Sequence, residues 1–518
     1  LSEASGNEQV NSGENSGGGP DKVNEEPLKG SGLVKKQRWK DRRSVHSLKK
    51  LADHEPGGLH QEFEKRENDR TRLPVGETAH FGAVMFAEAF TPSTVSRLYE
   101  SLEDGDRRRH GVSAREQLRL NRQGQFSGWQ NLGYVRRPGQ FSLNGKHDPN
   151  LPEFVDAAWV KLHYLTASLS IVVTTFTIKE NHGDLSGVLR TDYRDESGPA
   201  RIRVFGFAGP IRSRIPFSRP KRFRVESNIR SAFDAKREAA FGKVEAMESA
   251  CHRWLSKEYP GRFAQYDRKT RPTIRVFLIG GERPFQDKGG WLSELDLDRV
   301  YGSWESVNQP GWFLSEYRGI GSETRSIVTV AARRDDVQVA NTQDPTSVWS
   351  VTQKFHDSHS PLAVKVTLAS LLSIYDDRLG EIRDNAQSQK FPRRPVKEAK
   401  RLEEYLMGDG LDASVVIQDI LEITKDVTKF RGDTPEYRER VPEVIKARLP
   451  RAAGELGSSM RDSIRHRATS LENYTKSITE NFRASAELRQ AITNARLQRA
   501  AAALSILALV AAVLALVK

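Results

Sequence analysis

The densest group of side chains capable of chemistry lies in the segment KFHDSHSP, which holds His356, Asp357 and His359. On a helix, His356 and His359 share a face and could hold a metal ion, with a third ligand supplied from elsewhere. That would make the chain a metal-dependent enzyme. Ser360-Pro361 reads as the start of the next helix, which would leave the two histidines in a loop. The other candidates are weaker. Cys251 and His252 are adjacent, about 100° apart on a helix, which suits no nucleophile–base pair. Cys251 falls on an apolar stripe, so it is expected to pack in a core. Glu248 and His252 are four apart but lack the HExxH pattern. Asp376 and Asp377 sit beside the stripe Leu368, Leu371, Leu372 and read as a solvated face. No P-loop, GxSxG, kinase set or dinucleotide fingerprint is present. The sequence therefore names no catalytic group and no cofactor.

Charge is more informative. The 518 residues carry 81 Lys+Arg against 68 Asp+Glu, a net +13. Two tracts concentrate the excess. Lys29 to Lys50 has nine basic residues and one acid, Asp41. Arg201 to Val225 has eight basic residues and no acid. Each contributes +8, which leaves the rest of the chain slightly negative. In the first tract Lys35, Lys36, Arg38, Lys40, Arg42 and Arg43 flank Trp39 and are expected to contact anionic lipid. Nucleic acid is the less favoured partner. In the second tract Arg201 and Arg203 alternate with Ile202 and Val204 as on a strand, and phenylalanines are interleaved. The single cysteine excludes a disulfide framework and a cysteine-rich zinc site.

The strongest signal is Ala500 to Val517, eighteen residues without a charge and with Ser505 as the one polar side chain. As a helix it spans about 27 Å, near the lower limit for crossing a bilayer. Lys476, Arg483, Arg489, Arg496 and Arg499 precede it and Lys518 follows, so the body is expected in the cytoplasm and the C-terminus on the far side. This describes a single-pass tail anchor. In the preceding helix Ile464, Leu471, Ile478, Ser485 and Ile492 recur every seventh residue, with Leu488 at a complementary position. That is an imperfect coiled-coil seam, expected either to form a homo-oligomer or to pack on the chain's own body.

These features need a scaffold. Residues 1–75 read as a disordered arm carrying the first basic tract. Residues 76–344 read as a mixed α/β or α+β domain. Strands are expected at His80–Phe90, twice within Val155–Lys179 with a turn at Thr166–Ser168, and at Thr273–Ile279. Trp312–Glu316 and Arg325–Ala332 form a hairpin pattern. Helices are expected from Thr91-Pro92 to Glu103, within His182–Asp195 and over Asn228–Glu258. Residues 345–457 read as helical with no strand, with helices at Leu362–Arg383, Lys397–Leu406 and Ala413–Phe430. Residues 458–499 form a stalk helix and 500–517 the transmembrane helix.

An α/β cytoplasmic domain, further helices and one long helix running into the membrane resemble the layout of the CorA-type divalent-cation channel family. The family's Gly-Met-Asn motif and second membrane helix are absent, so no site residue carries over. The layout implies an oligomeric pore or transport-related subunit. The reading preferred from the residues is a non-enzymatic, membrane-anchored scaffold, sensor or interaction protein, ahead of the pore and of the metal-dependent enzyme.

Overall fold

The computed structural model describes residues 58–516 except 104–107, 126, 141–145, 195, 198–200, 206–221, 227–228, 267–270, 285–289, 298–301, 318–326, 338, 340–343, 388–408, 433–434 and 441–453. Helix α1 (Gly58–Thr71) leads into strand β1 (Ala79–Phe90), all twelve residues of which are buried. Helices α2 (Val95–Glu103) and α3 (Arg108–Arg122) follow. Next come β2 (Gly128–Arg136), β3 (Lys146–His147), β4 (Val155–Tyr164) and β5 (Ser170–Ile178). Four short strands, β6 (Glu196–Ser197), β7 (Arg201–Phe205), β8 (Arg222–Glu226) and β9 (Ile229–Arg230), precede helix α4 (Ala232–Glu258). Strands β10 (Thr273–Ile279), β11 (Ser303–Ser306), β12 (Trp312–Tyr317) and β13 (Ile327–Arg333) complete that half. Helices α5 (Val348–Gln387) and α6 (Asp409–Lys425), strand β14 (Tyr437–Glu439) and helix α7 (Leu456–Leu516) complete the described chain.

Ten of the described strands form one sheet in the order β14-β11-β12-β13-β10-β1-β5-β4-β2-β3. Neighbours are antiparallel except β10/β13 and β2/β3. Both faces are covered, which is why the central strands are apolar throughout instead of alternating. On one face Met85, Ile171, Val276, Trp312 and Val330 pack with Phe355, Leu371, Ile420 and Ile464 of α5, α6 and α7. On the other, Phe86, Val160, Phe176 and Phe277 pack with Leu98, Leu118, Val244 and Cys251 of α2, α3 and α4. The result is a three-layer helix–sheet–helix body, a mixed α/β fold. Cys251 lies in its core, where burial pushes the thiol well above its ordinary pKa.

Local chemistry explains the boundaries. Helix α4 begins where Ser231 and Asp234 form a capping box. In β2, Gly133 adopts φ +89, a conformation open to glycine, and a bulge between Asn131 and Gly133 restores the register against β4. The bulge places Trp129, Asn131 and Tyr134 on the face of the sheet that α5 covers, opposite His163, Lys161 and Trp159.

Several expectations are corrected. The arm expected to end at residue 75 gives way to helix α1 at Gly58, and residues 1–57 lie outside the described residues. Helix α2 starts at Val95, not at Pro92, because Thr91 to Thr94 close a turn of their own: the amide of Thr91 donates to Thr94 Oγ1 at 3.0 Å. The region 182–195 holds only the tail of one helical turn (Glu180–Gly183) and a second turn (Ser186–Arg190). Residues 345–457 are not all helical. Strand β14 pairs with β11 at the end of the sheet, and α5 covers the sheet face, so 344/345 separates no cores. The expected helix Lys397–Leu406 lies outside the described residues.

Candidate functional site

His356 and His359 both lie inside helix α5, fully buried, and Pro361 does not start a new helix. A proline inside a helix orphans the carbonyl four residues earlier, here that of Asp357. Lys161 of β4 repairs this: its Nζ donates to the Asp357 carbonyl at 3.4 Å and lies 3.8 Å from the Asp357 carboxylate. The helix therefore runs on through the proline. The two histidines then serve different strands. His356 Nδ1 meets Thr175 Oγ1 of β5 at 2.8 Å. His359 Nε2 meets the Tyr437 hydroxyl of β14 at 2.7 Å and its Nδ1 meets Ser358 Oγ at 2.8 Å, with its ring stacked on Phe355. Both nitrogens of His359 are engaged, and the partners of the two residues diverge. The residues expected to hold a metal instead tie α5 to two strands of the sheet. Among the described residues no group of three His, Cys, Asp or Glu could hold a metal ion.

Burial sets the electrostatics of this layer. It holds His359 and His163 down to about 3 and His80 down to about 4, and it lowers His356 well below the ordinary value. Neighbouring Lys161 adds to the effect at His163 and His356. In the unfolded chain these groups take protons near 6.5, so their stabilisation is present above that pH and lost as pH falls toward 3–4. Each contributes about 1.4 kcal/mol per pH unit while the native ring stays neutral. Burial also lifts the carboxyls of Glu88 and Glu294, the latter to about 8, and these act in the opposite sense above about 4.5. Thermal melts should accordingly show a gentle loss of stability from pH 6.5 to 4.5 and a steep one below it. His359→Gln should flatten the profile by one group; an unchanged slope would remove His359 from this account.

Helix α7 is built in two regimes. Ile464, Ala468 and Leu471 are buried in the core against α5 and α6. Arg467 donates to Ser373 Oγ of α5 at 2.7 Å, and Gln418 of α6 donates to Glu472 at 2.8 Å. Two of the expected seam residues, Ile464 and Leu471, therefore face the chain's own body. The side chains of Ile478, Leu488 and Ile492 lie outside the described residues. Further on, Leu497 is 63% exposed, Leu504 67% and Ile506 63%. Leu504 and Ile506 are two positions apart, about 200° around the axis, so the exposed apolar surface is not a single stripe.

No protein-family profile, no curated protein and no solved structure matches this chain. Among the described residues no helix is long and apolar enough to cross a membrane. The backbone of α7 is helical to Leu516, while the side chains of Leu507 and of residues 509–518 lie outside that description, so the full apolar run is read from the sequence. Lys35, Lys36, Arg38, Lys40, Arg42 and Arg43 lie outside the described residues. The polar partners within the core layers, Lys161 with Asp357 and Tyr437 with His359, had no periodic signature by which the sequence could disclose them.

Proposed function

We propose that this chain is a single-pass membrane protein whose cytoplasmic α/β body is carried on α7, and that it acts as a non-enzymatic scaffold, sensor or interaction protein. The observation that carries the reading is the apolar exposure of α7. A helix that docks on a protein partner hides one stripe, whereas one immersed in lipid is apolar all round. Leu504 and Ile506 project on opposite sides of the helix, and Ala500 to Val517 contains no charge. The basic residues from Lys476 to Arg499 keep the body on the cytoplasmic side. The basic residues Lys35 to Arg43 then add a contact with anionic lipid, each contributing about 1 kcal/mol near such a surface.

Deleting residues 500–518 should move the protein from the membrane pellet to the soluble fraction. Extraction of the full chain by alkaline carbonate, or its solubility without detergent, would end the membrane reading. The second reading is a CorA-like or other oligomeric pore subunit. It is favoured by the continuity of α7, one helix from the core of the body to Leu516. A pore needs several such helices, because one apolar helix encloses no water. Homo-oligomers in mild detergent support it, and a monomer removes it.

A further inference from the structure

The second basic tract holds a device that the membrane reading does not use. Strands β7 and β8 pair antiparallel in a two-stranded sheet of their own, and β6 and β9 pair just before α4. The register sets Arg203 opposite Arg224, Arg201 opposite Glu226 and Arg222 opposite Phe205. Directly opposed residues share a face, so Arg201, Arg203, Arg222 and Arg224 occupy positions on one face, together with Phe205 and Glu226. Ile202, Val204, Phe223 and Val225 occupy the other. A register slipped by one residue would mix the two sets. Like charges directly opposite one another destabilise a ladder, and a two-stranded ribbon is only marginally stable in water. The Arg203–Arg224 rung is therefore a cost unless an anionic surface lies against it. Glu226, opposite Arg201, is the one acid on this face, so four arginines against one carboxylate leave it with a net positive charge.

We infer that the arginine face of the β7–β8 ribbon binds the headgroups of anionic phospholipid. The inference rests on the membrane reading for its choice of polyanion: a chain held by α7 meets lipid phosphate at high local concentration. Four arginines at positions on one face of a ribbon can engage several phosphates at once, since arginine makes charge-assisted, bidentate hydrogen bonds to phosphate.

The test uses the full chain on vesicles of phosphatidylcholine alone and of phosphatidylcholine with phosphatidylserine. Trypsin cleavage after Arg201, Arg203, Arg222 and Arg224 is followed by mass spectrometry. At low salt, cleavage at these bonds should be roughly tenfold slower on the anionic vesicles, and high salt should abolish the difference. R203K/R224K should keep the protection, since the charge is retained. In R203E/R224E the remaining sites should be cut equally on both vesicles. Equal cleavage of the wild type on both, or protection confined to the sites between Lys35 and Arg43, would overturn the inference while leaving the membrane helix untouched. Stronger protection by RNA than by anionic vesicles would overturn it in favour of nucleic acid. Failure of the chain to stay on phosphatidylcholine vesicles would instead count against α7 as a membrane helix. The ribbon would then stand if binding to anionic vesicles is lost in R203E/R224E, and fall if it is not.

Discussion

Replacing Leu471 by aspartate should strongly destabilise the body itself, not merely separate one copy of the chain from another. Leu471 is 4% exposed and Ile464 2%, and both lie in the core that α5, α6 and the sheet build together. Aspartate at either position removes a packed aliphatic side chain and buries a carboxylate with no partner. The two effects together cost about 3–5 kcal/mol per site. A domain's whole stability is about 5–15 kcal/mol, so the double variant Ile464→Asp/Leu471→Asp should have no cooperative melt. Ile492→Asp, farther along the same heptad pattern, is the control: it should leave the melting temperature of the body unchanged and alter only the assembly state. Unfolding monitored by circular dichroism, with size in mild detergent, separates the cases. A Leu471→Asp protein that melts like the wild type but runs at a smaller size would show that α7 is held by another copy and not by its own body.

The seven-residue spacing of Ile464, Leu471 and Ile478 is the same whether the stripe meets a second helix of the same kind or a pair of helices in its own body, so periodicity alone could not choose. Strands buried on both faces were legible: Thr273–Ile279 is found as expected, and β1 and the β4–β5 hairpin differ by a residue or so. Uninterrupted runs of Val, Ile, Phe and Thr leave few alternatives over so short a length. Strand β2 was not legible, because Gly128, Gly133 and the polar residues between them suit a sheet edge and carry no apolar alternation. Strand β14 is three residues long and is held by its pairing with β11, which no local pattern encodes. The histidines misled for a related reason. The spacing of His356 and His359 is correct for a shared helical face, but the side chains that complete their environment, Thr175 and Tyr437, lie 181 and 78 residues away. Proline at 361 suggested a helix start because the lysine that rescues the interior position sits on a different element.

The ion pair between Arg271 and Glu88 should give the second large effect, and one whose dependence on pH identifies it. Both side chains are fully buried, and Arg271 Nη2 donates to Glu88 Oε2. The amide of Phe263 donates to the other carboxylate oxygen, and Arg271 Nη1 reaches the His252 carbonyl at 3.4 Å. Gly261 lies so close that a Cβ there would collide with the Ala89 carbonyl and with Glu88 itself, so the chain closes tightly over the pair. Burial pushes the Glu88 carboxyl upward and the Arg271 charge pulls it down. Arg271→Met removes the downward pull and leaves a buried carboxylate without its counter-ion, at a cost of about 3–5 kcal/mol at neutral pH. The variant can recover part of that by taking a proton on Glu88. Its folded-state pKa is raised, so the protonated form is the stable one and stability is lost as pH rises. The gap between Arg271→Met and wild type should therefore widen from pH 6 to pH 8 in denaturant titrations. Glu88→Gln/Arg271→Met, with no charge left to bury, should be more stable than Arg271→Met alone, because replacing both partners avoids the unpaired ion. A double variant no better than the single, with a gap that does not change with pH, would mean that Arg271 holds the core through its alkyl chain and not through its charge.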